Sequence, residues 1–157
     1  MFTLNRRHKS VFIAVFFILG VISDLYSNPI SINPIPVMAQ FPSNSVQRIF
    51  QDKDGYIWFG TLDGLCRYDA YRLLTFRSNL NNPNLLTNNE ITCISEDNNN
   101  NLWIGTREGL NILNRETFQI VHLKDSLIRR EHIRSILTAS DGTIWVGVGN
   151  GIYRCDS

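Results

Sequence analysis

Few residues in this chain have the types and spacing that chemistry needs. The stretch "DKDG" (Asp52 to Gly55) begins like a calcium loop, a motif that closes on a bidentate glutamate at its twelfth position. Here the twelfth position is Asp63, and the corresponding stretch further on has Ala139 and Asp141 in place of Asp52 and Asp54, so the reading is a hairpin turn without a metal. Trp58, Trp103 and Trp145 could stack on sugar rings, but they share one register, and a binding site seldom uses every copy of a motif equally, which favours packing. Tyr71, Arg72, Arg107 and the Arg129–Arg130 pair are not repeated; they are ligand candidates by elimination, set against ordinary solvated surface. Cys66, Cys93 and Cys155 are too sparse for a disulfide framework and read as buried thiols. His8, His122 and His132 stand in no phosphoacceptor-like setting. No Ser/His/Asp set, phosphate loop or Cys/His cluster is present. No catalytic residue, cofactor or metal is expected, and no ligand contact is assigned.

These residues belong to a phrase used three times: "DGYIWFGTLDGL", "NNLWIGTREGL" and "DGTIWVGVGNGI". Aligned on the tryptophans, Val46, Ile91 and Ile133 lie at one position, and Ile49, Ile94 and Ile136 at another. Gly60, Gly105 and Gly147 follow each Trp by two residues, and Gly64, Gly109 and Gly151 by six. Phe41, Leu86 and Ile128 open the units. A period of about 40–45 residues is that of a β-propeller blade. Aromatic and β-branched runs between glycines read as strands. Each unit is expected to hold four short antiparallel strands, in the first Val46–Gln51, Tyr56–Thr61, Leu65–Asp69 and Leu73–Phe76. Asp63-Gly64, Glu108-Gly109 and Asn150-Gly151 are read as two-residue turns in which glycine takes positive φ. Asp54-Gly55 and Asp141-Gly142 are read likewise, with Asn99-Asn100 in the middle unit. The segment "LIRREHIRSIL" (Leu127 to Leu137) spaces its apolar residues as a helix would, but alignment with the other units makes it loop followed by strand. Tryptophan should fill the gap between blades, and the glycine after it should permit close approach. The expected fold is all-β: a partial propeller of about two and three-quarter blades, at 41–85, 86–127 and 128–157.

Ahead of the blades, "NRRHK" (Asn5 to Lys9) precedes the apolar "VFIAVFFILGVI" (Val11 to Ile22). Twelve residues are too short to span a bilayer but suit the core of a secretory signal. A signal-peptide helix is expected over 1–27, or as far as 39, with a linker over 28–40. Setting aside Arg6, Arg7, Lys9 and Asp24 leaves 12 basic and 13 acidic residues, a net charge of −1. Nucleic acid is therefore not an expected partner.

"VQRIFQDKDGYIWFGTLDGLCRYD" (Val46 to Asp69) resembles the two-component regulator propeller repeat, as do "ITCISEDNNNNLWIGTREGLNILN" and, more loosely, "IRSILTASDGTIWVGVGNGIYRCD", where Val148 replaces threonine. The resemblance implies blades of the periplasmic sensor region of a hybrid histidine kinase of Bacteroides type. Such sensors detect glycan fragments and regulate polysaccharide-utilisation genes. It further implies an N-terminal piece of a homodimeric parent held in the inner membrane by segments downstream, with its kinase and regulator domains outside this chain. The partners implied are a carbohydrate and the remaining blades. Two other readings stand beside it: part of an exported propeller enzyme, a lyase or hydrolase, or a protein-binding scaffold.

Overall fold

A computed structural model describes residues 30–82, 84–123 and 127–155. The expected signal peptide lies outside the described residues except at its outermost limit. Residues 30–34 belong to a separate unit and have no regular structure. From residue 35 onward the described chain forms three antiparallel sheets. The first contains β1 (Val46–Gln51), β2 (Ile57–Thr61), β3 (Gly64–Tyr68) and β4 (Leu73–Phe76). The second contains β5 (Ile91–Glu96), β6 (Asn101–Thr106), β7 (Gly109–Asn114) and β8 (Ile120–His122). The third contains β9 (Ile133–Thr138), β10 (Ile144–Val148) and β11 (Gly151–Cys155). Strands pair in chain order within each sheet, and β5 lies between β1 and β9. This is the expected all-β partial propeller, with the first strands running side by side and the sheets stacked face to face.

The side chains between sheets explain the repeated phrase. Trp58 and Leu65 of the first sheet are buried against Ile91, Leu102, Ile104, Leu113 and Ile120 of the second. Trp103 and Leu110 of the second are buried against Ile133, Ile144, Val146 and Val148 of the third. A Cβ built on Gly60 would lie 2.7 Å from Cγ2 of Ile91, and one on Gly105 would lie 2.7 Å from Cγ2 of Ile133. Each glycine is thus a notch that seats the isoleucine opening the next sheet. At the same notch of the third sheet, the three atoms nearest a Cβ on Gly147 all belong to Ser135 of its own sheet. Trp58 and Trp103 are 0% and 4% exposed, whereas Trp145 is 41% exposed. On the far side of the first sheet, Val46 and Ile49 are exposed and, with Phe59, meet Ile35, Met38 and Phe41 around an apolar recess of about 220 Å³. The 3₁₀ turn Met38–Gln40 and buried Val37 lie in the segment read as linker.

Each tryptophan that is covered is also tethered. Trp58 Nε1–H donates to Asp52 Oδ2 at 2.8 Å, and Trp103 Nε1–H donates to Asp97 Oδ2 at 2.9 Å. The other oxygen of each carboxylate holds the β1–β2 or β5–β6 turn by accepting two backbone N–H groups. This arrangement satisfies the indole donor inside an apolar seam, where an unpaired N–H would be costly. The corresponding residue of the third sheet is Ala139. Burial works against the charge on Asp97, but donors from Trp103, Asn101 and Asn99 outweigh it and hold its pKa below the ordinary carboxylate value.

Two details of the expected strands are corrected. Tyr56 is outside β2, because its N–H is taken by Asp52 Oδ1 in the turn; Asp69 is outside β3, where its carboxylate accepts the N–H groups of Tyr71 and Arg72. The second-boundary loops are Leu62-Asp63, Arg107-Glu108 and Gly149-Asn150, with Gly64, Gly109 and Gly151 opening the following strands. Gly64 and Gly109 have φ of 124° and 108°, while Gly151 has no positive φ. The first two donate N–H to the next sheet's approach segment, at Asn89 O (2.8 Å) and Glu131 O (2.9 Å). A Cβ there would lie 2.6 Å from Phe76 O or Arg129 O, but one on Gly151 would meet nothing within 4 Å. At the other turn Gly55 and Gly142 have positive φ, as does Asn100 in the middle unit.

Two predictions follow from the seams. Trp58→Ala should lower unfolding stability by about 3–5 kcal/mol, the usual cost of emptying a buried aromatic site, and Trp145→Ala by less than half as much, as read from urea midpoints. Equal losses would contradict the seam account. For Asp97, the folded-state pKa is depressed, so its stabilisation is present above the ordinary carboxylate value and is lost as pH falls through the folded value. Asp97→Asn should destabilise the chain at pH 7, with the gap from the parent narrowing on acidification; a gap independent of pH would contradict this.

Candidate functional site

The residues picked out by elimination do not meet in one place. Tyr71 and Arg72 sit in the β3–β4 turn, and Arg107, Arg129 and Arg130 near the opposite ends of the strands, where the β6–β7 hairpin meets the approach to β9. Tyr71 and Arg72 are exposed, and Arg107 is paired at the surface with Glu90 at 3.4 Å. Cys66 and Cys93 are buried, and burial pushes both thiols above their ordinary pKa, which suits inert packing. His122 is bonded through Nε2 to Leu85 O. Asp63, the calcium-loop candidate's last position, instead holds Arg77 at 2.7 Å and the side-chain amide of Asn89 at 3.1 Å. Among the described residues no His/Cys/Asp/Glu group has the arrangement of a metal site.

A second set of titratable groups is structural. Arg115, almost fully buried, reaches from the β7–β8 turn to Asp52 at 3.0 Å, Asp54 at 2.6 Å and Glu96 at 2.7 Å. Lys53 adds a backbone N–H to Glu96 Oε2 at 2.9 Å. Desolvation disfavours the guanidinium charge, but the hydrogen bond to Asp52 and the charges of Glu96, Asp52 and Asp54 more than offset it, and its pKa is raised. Beside it Arg67 lies 4.5 Å from the Tyr56 ring and 4.8 Å from that of Phe118, bridging the first two sheets. At the corresponding place of the second seam, among the described residues, Thr138 Oγ1–H donates to Glu96 O at 2.7 Å, and Ser95 Oγ lies 2.8 Å from Thr138 Oγ1. Arg115 therefore clasps the first seam.

The arrangement best suited to a ligand arises from an irregularity shared by all three sheets. The register shifts between Val46 and Arg48, between Ile91 and Cys93, and opposite Gly147 and Val148. Each first strand thus holds one extra residue, Gln47, Thr92 or Arg134. A bulge frees a residue from the ladder and re-aims its side chain. All three bulge residues line one recess of about 310 Å³, together with Arg48, Glu90, Ile91 and His132. Thr92 Oγ1–H donates to Ile133 O, joining the second sheet to the third at this point. Gln47 Nε2–H donates to Ser45 Oγ at 2.8 Å, and Arg48 Nη1–H to Gln47 O at 2.7 Å. The positions that repeat in type build the seams; the bulge position repeats in geometry while its residue varies. Sequence comparison anchored on identity passes over such a position.

Three stacked antiparallel sheets with first strands side by side define a β-propeller segment. A sequence profile described as two component regulator propeller matches residues 40–63 and 85–108. Two crystal structures of an extracellular domain from B. thetaiotaomicron are similar to it, one described as part of a one component system and the other as part of a hybrid two component system. Both are 26% identical, with TM-scores of 0.63 and 0.61, over 75% and 74% of this chain. The chain spans 16% of the length of each. Virginiamycin B lyase from Staphylococcus aureus is similar at 20% identity and a TM-score of 0.57, over 73% of this chain and 39% of that one; that likeness is one of fold. A search of curated proteins returns no match.

The Arg115 clasp gives a prediction. Arg115→Met removes the cation from three carboxylates and should cost about 3–5 kcal/mol. Arg72→Met, at an exposed turn, should change the urea midpoint very little. A loss at Arg115 no larger than that at Arg72 would contradict the clasp.

Proposed function

We propose that this chain forms part of the sensing region of an exported two-component sensor, and that the longer protein recognises a carbohydrate. The observation that carries the reading is the bulge-lined recess. It is polar, spans three sheets and is bordered by side chains that the repeat leaves variable, which is what selective recognition on a repeated scaffold requires. The likeness to extracellular domains of B. thetaiotaomicron sensors supports the sensing role and export. In this reading the ligand bridges neighbouring sheets, so that binding energy favours one relative setting of the blades over another. The domain is periplasmic, its phosphorelay is carried by other parts of the longer protein, and it contributes no catalytic group.

Calorimetric titration of the sensor's whole exported region with a panel of oligosaccharides tests this. Saturable heat from at least one saccharide is expected, with weaker binding in Thr92→Val. Silence across the panel, or turnover of a saccharide with no uncatalysed counterpart, would contradict the proposal, the second result pointing to an enzyme.

A further inference from the structure

We infer that the bulge-lined recess takes an anionic group, a carboxylate or sulfate, so that the saccharide preferred by the sensor is an acidic one; this rests on the carbohydrate reading above. The inference follows from the charges around the cavity. Arg48 and Arg134 line it from the first and third sheets, and His132 adds ring nitrogens from the approach to β9. The acid among the lining residues, Glu90, is turned to Arg107, whose Nη1 lies 3.4 Å from Oε2 and 3.5 Å from Oε1. Among the described residues no carboxylate pairs with Arg48 or Arg134. By contrast Arg115, Arg77 and Arg107 all have acidic partners.

The position of Arg134 strengthens the case. It occupies the third bulge, where the first two sheets have Gln47 and Thr92, and it lines the recess with them, a charged residue where the other two are neutral and polar. Its guanidinium also runs beside Gly149, with Nη2 3.8 Å from where a Cβ would stand. Arg48 is held by its Nη1 bond to Gln47 O and keeps further N–H donors available for a planar oxyanion. Thr92 and Gln47 supply neutral polar groups beside the charge, as sugar hydroxyls require. Two arginines from different sheets, with the neighbouring acid already engaged, make a cradle for an oxyanion.

The sensor's whole exported region is titrated with three probes of equal length: a uronic-acid oligosaccharide, a sulfated one and a neutral one. Inorganic sulfate serves as a fourth probe. Amide shifts of Thr92 and His132 report occupancy. Either acidic saccharide should bind at least ~10-fold more tightly than the neutral one, the effect expected of one charge-assisted hydrogen-bonded pair. Arg48→Gln and Arg134→Gln should each abolish most of that preference, while Arg72→Gln, at the other end of the strands, should not. Which acidic probe is tighter separates carboxylate from sulfate recognition. Neutral saccharide binding equally well, unaffected by either recess variant, would overturn the anion inference and leave the carbohydrate reading standing. Sulfate shifting Thr92 and His132 while no saccharide binds would do the reverse. No shift with any probe would overturn both.

Discussion

The structure depends on a glycine notch and the isoleucine that fills it. Gly60 lies under Ile91, and Gly105 under Ile133, at distances that leave no room for a β-carbon. The contact sets how closely one sheet approaches the next, and that separation allows a tryptophan to be covered completely in the same seam. An isolated four-stranded sheet of these residues would expose an apolar face on each side. Stacking converts both faces into core. The outer surfaces show the contrast: Trp145 stands partly open and Ile49 lies exposed beside an apolar recess.

Hydrogen bonding makes the seams specific. A carboxylate that fixes a turn also receives the indole N–H, so turn, tryptophan rotamer and sheet face are set by one residue, Asp52 or Asp97. The two seams are finished differently. A buried arginine meets three acids at the first, and a pair of hydroxyls closes the second. The repeat thus tolerates different chemistry at corresponding places while the notch is unchanged.

Much of this was legible in the sequence, because the seam is built by residues that recur. The Trp-x-Gly phrase announced the notch, and the spacing of 40–45 residues announced the stacked sheets. Turn positions were legible only approximately. The Asp63-Gly64 pattern places Gly64 in the turn, whereas Gly64 opens β3 and uses its positive φ to aim an N–H at Asn89. The bulge was hidden for a more instructive reason. Ile91 and Ile94, like Ile133 and Ile136, are three apart yet face the same seam. That spacing suits a helix, and in a strand it requires one extra residue between them. The helix-like pattern of Leu127 to Leu137 is the trace of the bulge carrying Arg134. The recess could not be found by matching repeats, since Gln47, Thr92 and Arg134 share a position without sharing a residue type.

A double-mutant cycle on Gly60 and Ile91 tests the central claim most directly. Gly60→Ala forces a methyl group against Ile91, and Ile91→Ala removes the Cγ2 that it would strike. Urea unfolding of the parent, both single variants and the pair should show the double variant destabilised by at least ~1 kcal/mol less than the sum of the two, the coupling expected of residues in direct contact. Strict additivity would mean that the notch does not hold the sheets together.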